Sequence, residues 1–386
     1  MVHCSFVTLL GRRCPRLVVS STRTRPSRFS LDSSCRGRVY SSTAMVTKNT
    51  TNKDDSIAMI DKSIPVLFVG LGNMGFPMAQ HLHEYGLEDL VVYDVNETAR
   101  NRARDCGMTV SDDVHAHLFT NKKDSVTITM LPGCDALTST LKDFKKVLSC
   151  KEQNIQSRHH SSKLVIDCST VQPATSRYWH KHWVYGGFLD APVSGGVKGA
   201  TDGTLTFMVG ATAKRDRDDW YDNAKNAVAL EQARPYLQVM GSRIVECGGP
   251  GAGSAVKLCN NLALAAQMIG ICEAMNLGDA LEVDPKVLAD VMNTATAKCW
   301  SSEVNNPHPA VAAVKNSPAA NHYQGGFGSD LMLKDLGLAM DAAKDAGVAL
   351  PLTSQSKELY RLVSSHGLGQ KDFGVMLQFL RGNTNV

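Results

Sequence analysis

A short β-branched run, a glycine-rich turn and a helical pattern follow one another at residues 66–82. An acid closes the next strand-like run, and a long apolar helical stretch opens at Gly251. Together they predict an α/β Rossmann-type dinucleotide-binding domain followed by an all-α C-terminal domain, the two joined by a long interdomain helix. At 386 residues, 43% hydrophobic and 20% charged, the chain has the size and balance of a two-domain globular protein.

The net charge of +4 divides unevenly. Residues 1–45 hold Arg12, Arg13, Arg16, Arg23, Arg25, Arg28, Arg36 and Arg38 against one acid, Asp32, a local +7 that leaves the remainder at −3. A mildly acidic body gives no electrostatic reason to bind nucleic acid. An Arg-rich, Ser/Thr-rich, nearly acid-free leader has the composition of an organellar transit peptide. The stretch "RVYSS" at Arg38–Ser42 resembles a mitochondrial processing site with cleavage after Tyr40. The expected division is a transit peptide at 1–40, a polar linker at 41–61, the dinucleotide-binding domain at 62–248 and the helical domain at 249–386, with the mitochondrial matrix as destination. The eleven cysteines are scattered with no C-x-x-C, so reduced thiols are expected and a zinc site has no support. Cys259 and Cys272 fall inside apolar helical patterns, where free cysteine behaves as a small hydrophobe.

The folded part opens with "SIPVLFVGLGNMGFPMAQHL". Val66–Val69 suits a buried parallel strand. Gly70-Leu71-Gly72-Asn73-Met74-Gly75 then reads G-x-G-x-x-G, and helical spacing continues through Met78, Ala79 and Leu82. Gly70 makes the tight turn, Gly72 lets backbone approach a pyrophosphate, and Gly75 permits close helix–strand packing. The helix N-terminus adds free N–H donors and a positive dipole end. Asp94 closes "DLVVYD", 19 residues beyond Gly75, where a ribose-binding acid belongs. Its carboxylate accepts ribose hydroxyls and repels a 2′-phosphate, which favours NAD over NADP; Arg100, one turn on, is the nearby cation. "SVTITMLP" and "KLVIDCST" read as further strands, making Leu131, Pro132 and Thr170 candidates for the cofactor crevice.

Three more features carry chemistry. Ser194-Gly195-Gly196 offers a hydroxyl and unobstructed N–H groups, a nest for a carboxylate. Lys257 and Asn261 lie four residues apart in the apolar Gly251–Gly278 helix, so they share a face, while Asn260 is turned by roughly 100° to cap or pack. The uncharged run Leu258–Cys272 spans 15 residues, short of the roughly 18–20 of a membrane span. Gly325–Gly328 forms a loop, after which Ser329 or Asp330 caps a helix bearing Lys334 and Asp335.

These motifs together resemble the β-hydroxyacid dehydrogenase family, from about Ile64 to Gly382. The family's D-x-P-V-S-G-G stands at Asp190–Gly196, its G-x-x-x-K-x-x-x-N at Gly253–Asn261 and its K-D-L at Lys334–Leu336. "KCWSSEVNNPHP", "NHYQGGFG" and "KDFGVMLQFLRG" narrow the likeness to the mitochondrial branch that oxidises (S)-3-hydroxyisobutyrate in valine breakdown. The resemblance implies NAD across Gly70–Gly75, Asp94 on its ribose, Leu131, Pro132 and Thr170 along its edge, and Lys334 near its nicotinamide end. It implies a small hydroxy acid held by Ser194, Gly195 and Gly196, Lys257 as general acid/base, and Asn261 orienting the reacting oxygen. Phe327 and Trp300 become pocket walls, and Asp335 steadies Lys334. The active site is expected between the two domains, and the chain is expected to form a homodimer or homotetramer. Where the family often carries an Asn just beyond the leucine–proline pair, this chain reads "LPGCDAL", with Asp135 and Ala136. "KEQNIQSRHHSSK" and "KRDRDDWYDNAKNAV" read as inserted polar loops. Sister enzymes of tartronate or succinate semialdehyde commonly carry Asn-Arg in place of Asp94-Val95, and serine or 3-hydroxypropionate enzymes are further relatives. An inactive binding relative would lack Lys257.

Overall fold

The computed structural model describes residues 59–114, 124–152, 162–212, 222–315 and 317–384. The presumed leader lies outside them, as do 153–161 and 214–221 of the two polar insertions.

Strand β1 (Val66–Val69) is buried along its whole length, as a four-residue β-branched and aromatic run in the middle of a sheet must be. The chain then turns into helix α1 (Gly75–Glu84), returns as β2 (Leu90–Tyr93), and enters α2 (Glu97–Asp105), capped by the Asn96 side chain accepting from the Ala99 amide. β3 (Thr109–Val110), β4 (Ser125–Thr129), α3 (Cys134–Glu152), β5 (Lys163–Asp167), α4 (Pro173–His182) and β6 (Phe188–Asp190) complete the alternation. Parallel pairing gives the spatial order β3-β2-β1-β4-β5-β6. That is the doubly wound dinucleotide-binding order, whose strand sequence reverses between β1 and β4.

Beyond β6 the sheet changes character. β7 (Val193–Ser194) leads into the short α5 (Gly196–Thr201), and both β6 and β7 pair antiparallel with β8 (Leu205–Gly210). α6 (Asn223–Met240) begins at Asp222, whose carboxylate accepts from the Ala224 and Lys225 amides, and runs directly into β9 (Gly241–Gly248), parallel to β8. This corrects the polar-loop reading of "KRDRDDWYDNAKNAV": its end is the capped start of a helix. Apolar clusters fill both sheet faces, one around Phe68, Met78, Leu82 and Leu237, the other around Leu137, Phe144, Trp179 and Trp183.

The 29-residue α7 (Ala252–Ala280) opens the helical half. Around it stand α8 (Pro285–Thr294), α9 (Trp300–Glu303), α10 (Pro309–Lys315), α11 (Ser329–Ala346), α12 (Pro351–Val363) and α13 (Met376–Leu380), sharing a third core at Met268, Cys272, Met332, Tyr360 and Phe373. By length and composition α7 could cross a membrane, with a mean hydropathy of 1.3 in its best window, which the count of its uncharged run understated. Here its Leu258, Ala265, Met268, Ile271 and Met275 are buried among the other elements. Cys259, expected in the apolar interior, is exposed, whereas Cys272 is buried, and the described cysteines are free thiols. Neither Ser329 nor Asp330 caps α11. Gly328 holds the cap position, and Asp330 instead accepts from Ser364 Oγ and Gln370 Nε2.

Candidate active site at the carboxyl ends of the strands

The glycine turn fits a dinucleotide. Gly70 lies at φ +101°, where a side chain is strained, and a Cβ there would stand 2.2 Å from the Met130 carbonyl oxygen at the end of β4. A Cβ on Gly75 would stand 1.9 Å from the Gly70 carbonyl, so α1 packs against the turn only with glycine at its start. A Cβ on Gly72 would meet nothing within 4 Å. That glycine faces open space, the room a pyrophosphate needs. No side chain caps α1; the Phe76 amide already donates to the Gly72 carbonyl and Pro77 has no N–H, so the Gly75 amide is the donor at the helix start, beside exposed Gly72 and Asn73 and half-buried Met74. Leu71 contributes differently: its side chain is buried and its amide donates to Asp94 Oδ2 at 2.6 Å.

Asp94 therefore braces the turn, with Oδ1 accepting from the Asn96 amide. Arg100 does not stand ready for a 2′-phosphate. Its Nη1 donates to the Asp94 and Val95 carbonyls, and its guanidinium pairs with Asp112 at 3.4 Å. That guanidinium is occupied, which sharpens the preference for NAD. Asp135 falls in the first turn of α3 and is exposed, facing solvent where an Asn was expected.

Three predicted residues from distant segments meet directly. Lys334 Nζ, on α11, donates to the Pro132 carbonyl beyond β4 at 3.2 Å and the Thr170 carbonyl beyond β5 at 3.3 Å. It also pairs with Asp335 Oδ1 at 3.1 Å. Leu131 joins the same edge, its amide donating to the buried Ser169 hydroxyl.

Asp335 leads back to α7. It is buried, and its Oδ2 accepts from Asn261 Nδ2 at 2.6 Å, while Asn261 Oδ1 accepts from Asn260 Nδ2 at 3.2 Å. The sequence pattern left Asn260 without a role; here it fixes which way the Asn261 amide points. Lys257, one turn earlier on the same face, is 9% exposed, and its ammonium has no hydrogen-bond partner among the described residues. Burial pushes its pKa below the ordinary lysine value; the Asp335 carboxylate opposes that shift and the Lys334 charge reinforces it.

The remaining predicted residues stand apart from this chain of contacts. Gly195 and Gly196 lie at φ +138° and +64°; a Cβ on Gly196 would meet nothing within 4 Å, whereas one on Gly195 would stand 3.1 Å from Leu205 Cδ2. Ser194 is tied to the sheet through its pairing with Thr206. Phe327 and Trp300 converge on a common ring: Phe327 meets Phe373 edge-on at 5.9 Å, and Trp300 stacks on it at 6.4 Å while remaining half exposed. The Phe327 amide donates to buried Asp372, whose carboxylate also accepts from Gly374 N and Asn305 Nδ2 and so fixes the "QGGFG" loop. Sequence reasoning missed Asp372, Asp167 and the structural part played by Asp190, because each acts through partners far away along the chain.

The family model described as the NAD binding domain of 6-phosphogluconate dehydrogenase matches residues 65–249. The model described as NAD-binding of NADP-dependent 3-hydroxyisobutyrate dehydrogenase matches residues 251–380. A probable mitochondrial 3-hydroxyisobutyrate dehydrogenase of Dictyostelium discoideum is 41% identical over 320 residues, covering 82% of this chain and 90% of the relative. The human mitochondrial 3-hydroxyisobutyrate dehydrogenase is 41% identical over 323 residues, covering 82% and 87%. Among solved structures, a Mycobacterium tuberculosis 3-hydroxyisobutyrate dehydrogenase described with L-serine superposes with a TM-score of 0.69 at 36% identity, covering 84% of this chain and all of that one.

Proposed function

The chain belongs to the 3-hydroxyisobutyrate dehydrogenase family of NAD-dependent β-hydroxyacid dehydrogenases, and from that premise we propose that it oxidises (S)-3-hydroxyisobutyrate to methylmalonate semialdehyde, with Lys257 as general base. The observation that carries this reading is Lys257 itself, a buried amine whose pKa is lowered by burial, with the Asp335 carboxylate and the Lys334 ammonium acting on it. It stands beside a polar chain running from Asn261 through Asp335 and Lys334 to the ends of β4 and β5.

Bound NAD⁺ supplies the hydride acceptor. Gly70, Gly72 and Gly75 with the α1 N-terminus would hold its pyrophosphate, Asp94 its ribose, Leu131, Pro132 and Thr170 its edge, and Lys334 its nicotinamide end. Ser194, Gly195 and Gly196 hold the substrate carboxylate. Lys257, neutral because burial lowers its pKa, accepts the hydroxyl proton as the carbonyl forms. The Asn261 amide has a second N–H beyond the one given to Asp335, and that donor orients the reacting oxygen. Phe327 and Trp300 flank the substrate methyl.

L-Serine carries the same carboxylate and primary alcohol, and the related mycobacterial enzyme was solved with it; a serine dehydrogenase is the alternative reading. The mitochondrial names of the relatives and the Arg-rich leader support residence in the matrix. The exposed Val287 and Val291, one turn apart on α8, and the exposed Val283 just before that helix support a homodimer or homotetramer.

The test is NAD⁺ reduction measured side by side with 3-hydroxyisobutyrate, L-serine, 3-hydroxypropionate and glycerate, in the wild type and in Lys257→Ala. The branched acid should give the highest kcat/KM. Lys257→Ala should bind NAD normally while losing roughly 10²–10⁴ in kcat. A wide margin for serine or glycerate overturns the substrate, and near-normal turnover in the variant overturns the base.

A further inference from the structure

Asp190 ends β6 with its carboxylate fully buried. Oδ1 accepts from the Gly251 amide at 2.9 Å and contacts His180 Nε2 at 3.2 Å; Oδ2 accepts from the Ser254 amide at 2.9 Å. Helix α7 has no side-chain cap of its own. A carboxylate 61 residues away in sequence supplies it instead, at the end where a helix favours negative charge.

The fit is tight on every side. A Cβ on Gly210, paired with Asp190 across the sheet, would stand 2.4 Å from Oδ1. A Cβ on Gly253 would stand 2.1 Å from the Met208 carbonyl and 2.9 Å from that of Asp190. The Ser176 and Ser254 hydroxyls meet at 2.8 Å beside it. The first turn of α7 is thus clamped onto the sheet at one carboxylate.

The position of that clamp matters for the chemistry. Lys257 follows Ser254 by three residues, one helical turn from the clamped amide. In the other direction Asp190 precedes Ser194 by only four residues, through the buried Ala191, Pro192 and Val193. One side chain therefore ties together the segment bearing the carboxylate nest and the helix bearing the base.

We propose that Asp190 is a positioning residue. It sets the placement of Lys257 relative to Ser194–Gly196, and so the alignment of the substrate alcohol with the amine, without touching substrate or cofactor. The inference rests on the reading of Lys257 as the base. Misplacing a reacting group by about 1 Å costs on the order of 10² in rate, far more than loss of a buried cap would do to a site whose geometry it did not set.

The experiment uses the full chain with Asp190→Asn, which keeps the shape and one acceptor but turns an NH₂ toward an amide N–H. NAD affinity, melting temperature and the pH dependence of kcat are measured together. The expected result is NAD affinity within about 2-fold of wild type, kcat down about 10–100-fold, and a displaced Lys257 limb in the pH profile. A lower melting temperature with wild-type kcat and an unmoved limb overturns the inference and makes Asp190 a stabilising cap only. Should Asp190→Asn not fold, His180→Phe keeps the ring packing on Phe188 and removes one polar contact to Oδ1. It should lower kcat several-fold with the same displaced limb, and wild-type behaviour in it overturns the inference equally. Lys257→Ala separates the two readings: if it turns over normally, the base assignment fails; if it is inactive while Asp190→Asn is wild type, only the positioning inference fails.

Discussion

Asp167 should make the protein less stable as the pH rises from about 4 to about 7, and Asp167→Asn should remove that penalty. Asp167 ends β5, fully buried, and sits in register with Asp190 on the neighbouring strand. Its Oδ1 accepts from Thr129 Oγ1 at 2.7 Å and from the Ser169 amide at 3.2 Å, but its Oδ2 has no partner. Burial raises its pKa from 3.8 to about 7, with the Asp190 charge adding to the rise and the Thr129 and Ser169 hydrogen bonds resisting it. Between about pH 4 and pH 7 the folded protein keeps a proton that the unfolded chain has released. Stability falls across that window and levels off above it. About three pKa units at 1.36 kcal/mol each bound the loss at ~4 kcal/mol. Asparagine imitates the protonated acid at every pH, keeping the Oδ1 acceptor and placing N–H donors where Oδ2 stood. Urea melts at pH 5 and pH 8 provide the assay. The variant should exceed the wild type by about 1–2 kcal/mol at pH 5 and by about 4 kcal/mol at pH 8. Asp372, raised by burial to about 6, is common to both proteins and cancels in the comparison. An equal difference at the two pH values, or a larger gain at pH 5, refutes the reasoning.

The glycine turn separates binding from folding. Gly72→Ala, with its Cβ in open space, should leave the melting temperature within about 2 °C while weakening NAD at least about tenfold, whereas Gly75→Ala should fold poorly because its Cβ meets the Gly70 carbonyl. Calorimetric NAD titration alongside thermal melts decides this, and unchanged NAD affinity in Gly72→Ala would falsify the pyrophosphate placement. Asp335→Asn removes the charge that holds the Lys257 pKa up, so the limb of kcat/KM that requires neutral Lys257 should move to lower pH; a move to higher pH contradicts the contact geometry. Asn260→Ala releases the Asn261 amide and should cost about 3–10-fold in kcat with NAD affinity intact, on the scale of about one hydrogen bond. Equal kcat in variant and wild type means the Asn261 orientation is held by Asp335 alone.

The parts of this architecture that depend on local pattern were legible from the residues. Val66–Val69, the glycine turn and Asp94 lie within thirty residues of one another, and the strand–turn–helix that they spell is the one observed. The spacing of Lys257 and Asn261 placed them on one helix face, and Lys334 does reach Pro132 and Thr170. What stayed hidden rests on partners distant in sequence. Asp190 reads as one acid in a proline-containing turn until Gly251 and Ser254 fold against it. Arg100 looks like a free cation until Asp112 and two carbonyls take it up. Cys259 follows the apolar rhythm of its helix yet faces outward, since a helix this long cannot be covered on all sides by the elements beside it. The sheet's extension through β7, β8 and β9 was equally opaque: short strands of two to eight residues with an antiparallel reversal carry no α/β rhythm.

The long helix also has the geometry of a lever. Its fulcrum is the capped first turn at Gly251–Ser254, and its far end is Ala280. At 1.5 Å per residue the arm extends about 42 Å, and Lys257 rides only about 8 Å from the fulcrum. Any tilt about that point moves the amine by about one fifth of the displacement at the tip. A swing of several ångströms among the distal helices therefore reaches the base as a shift of about 1 Å. A shift of that size is on the scale that costs about 10² in rate, so association at the exposed Val287 and Val291 of α8 should be felt at the base even after this attenuation.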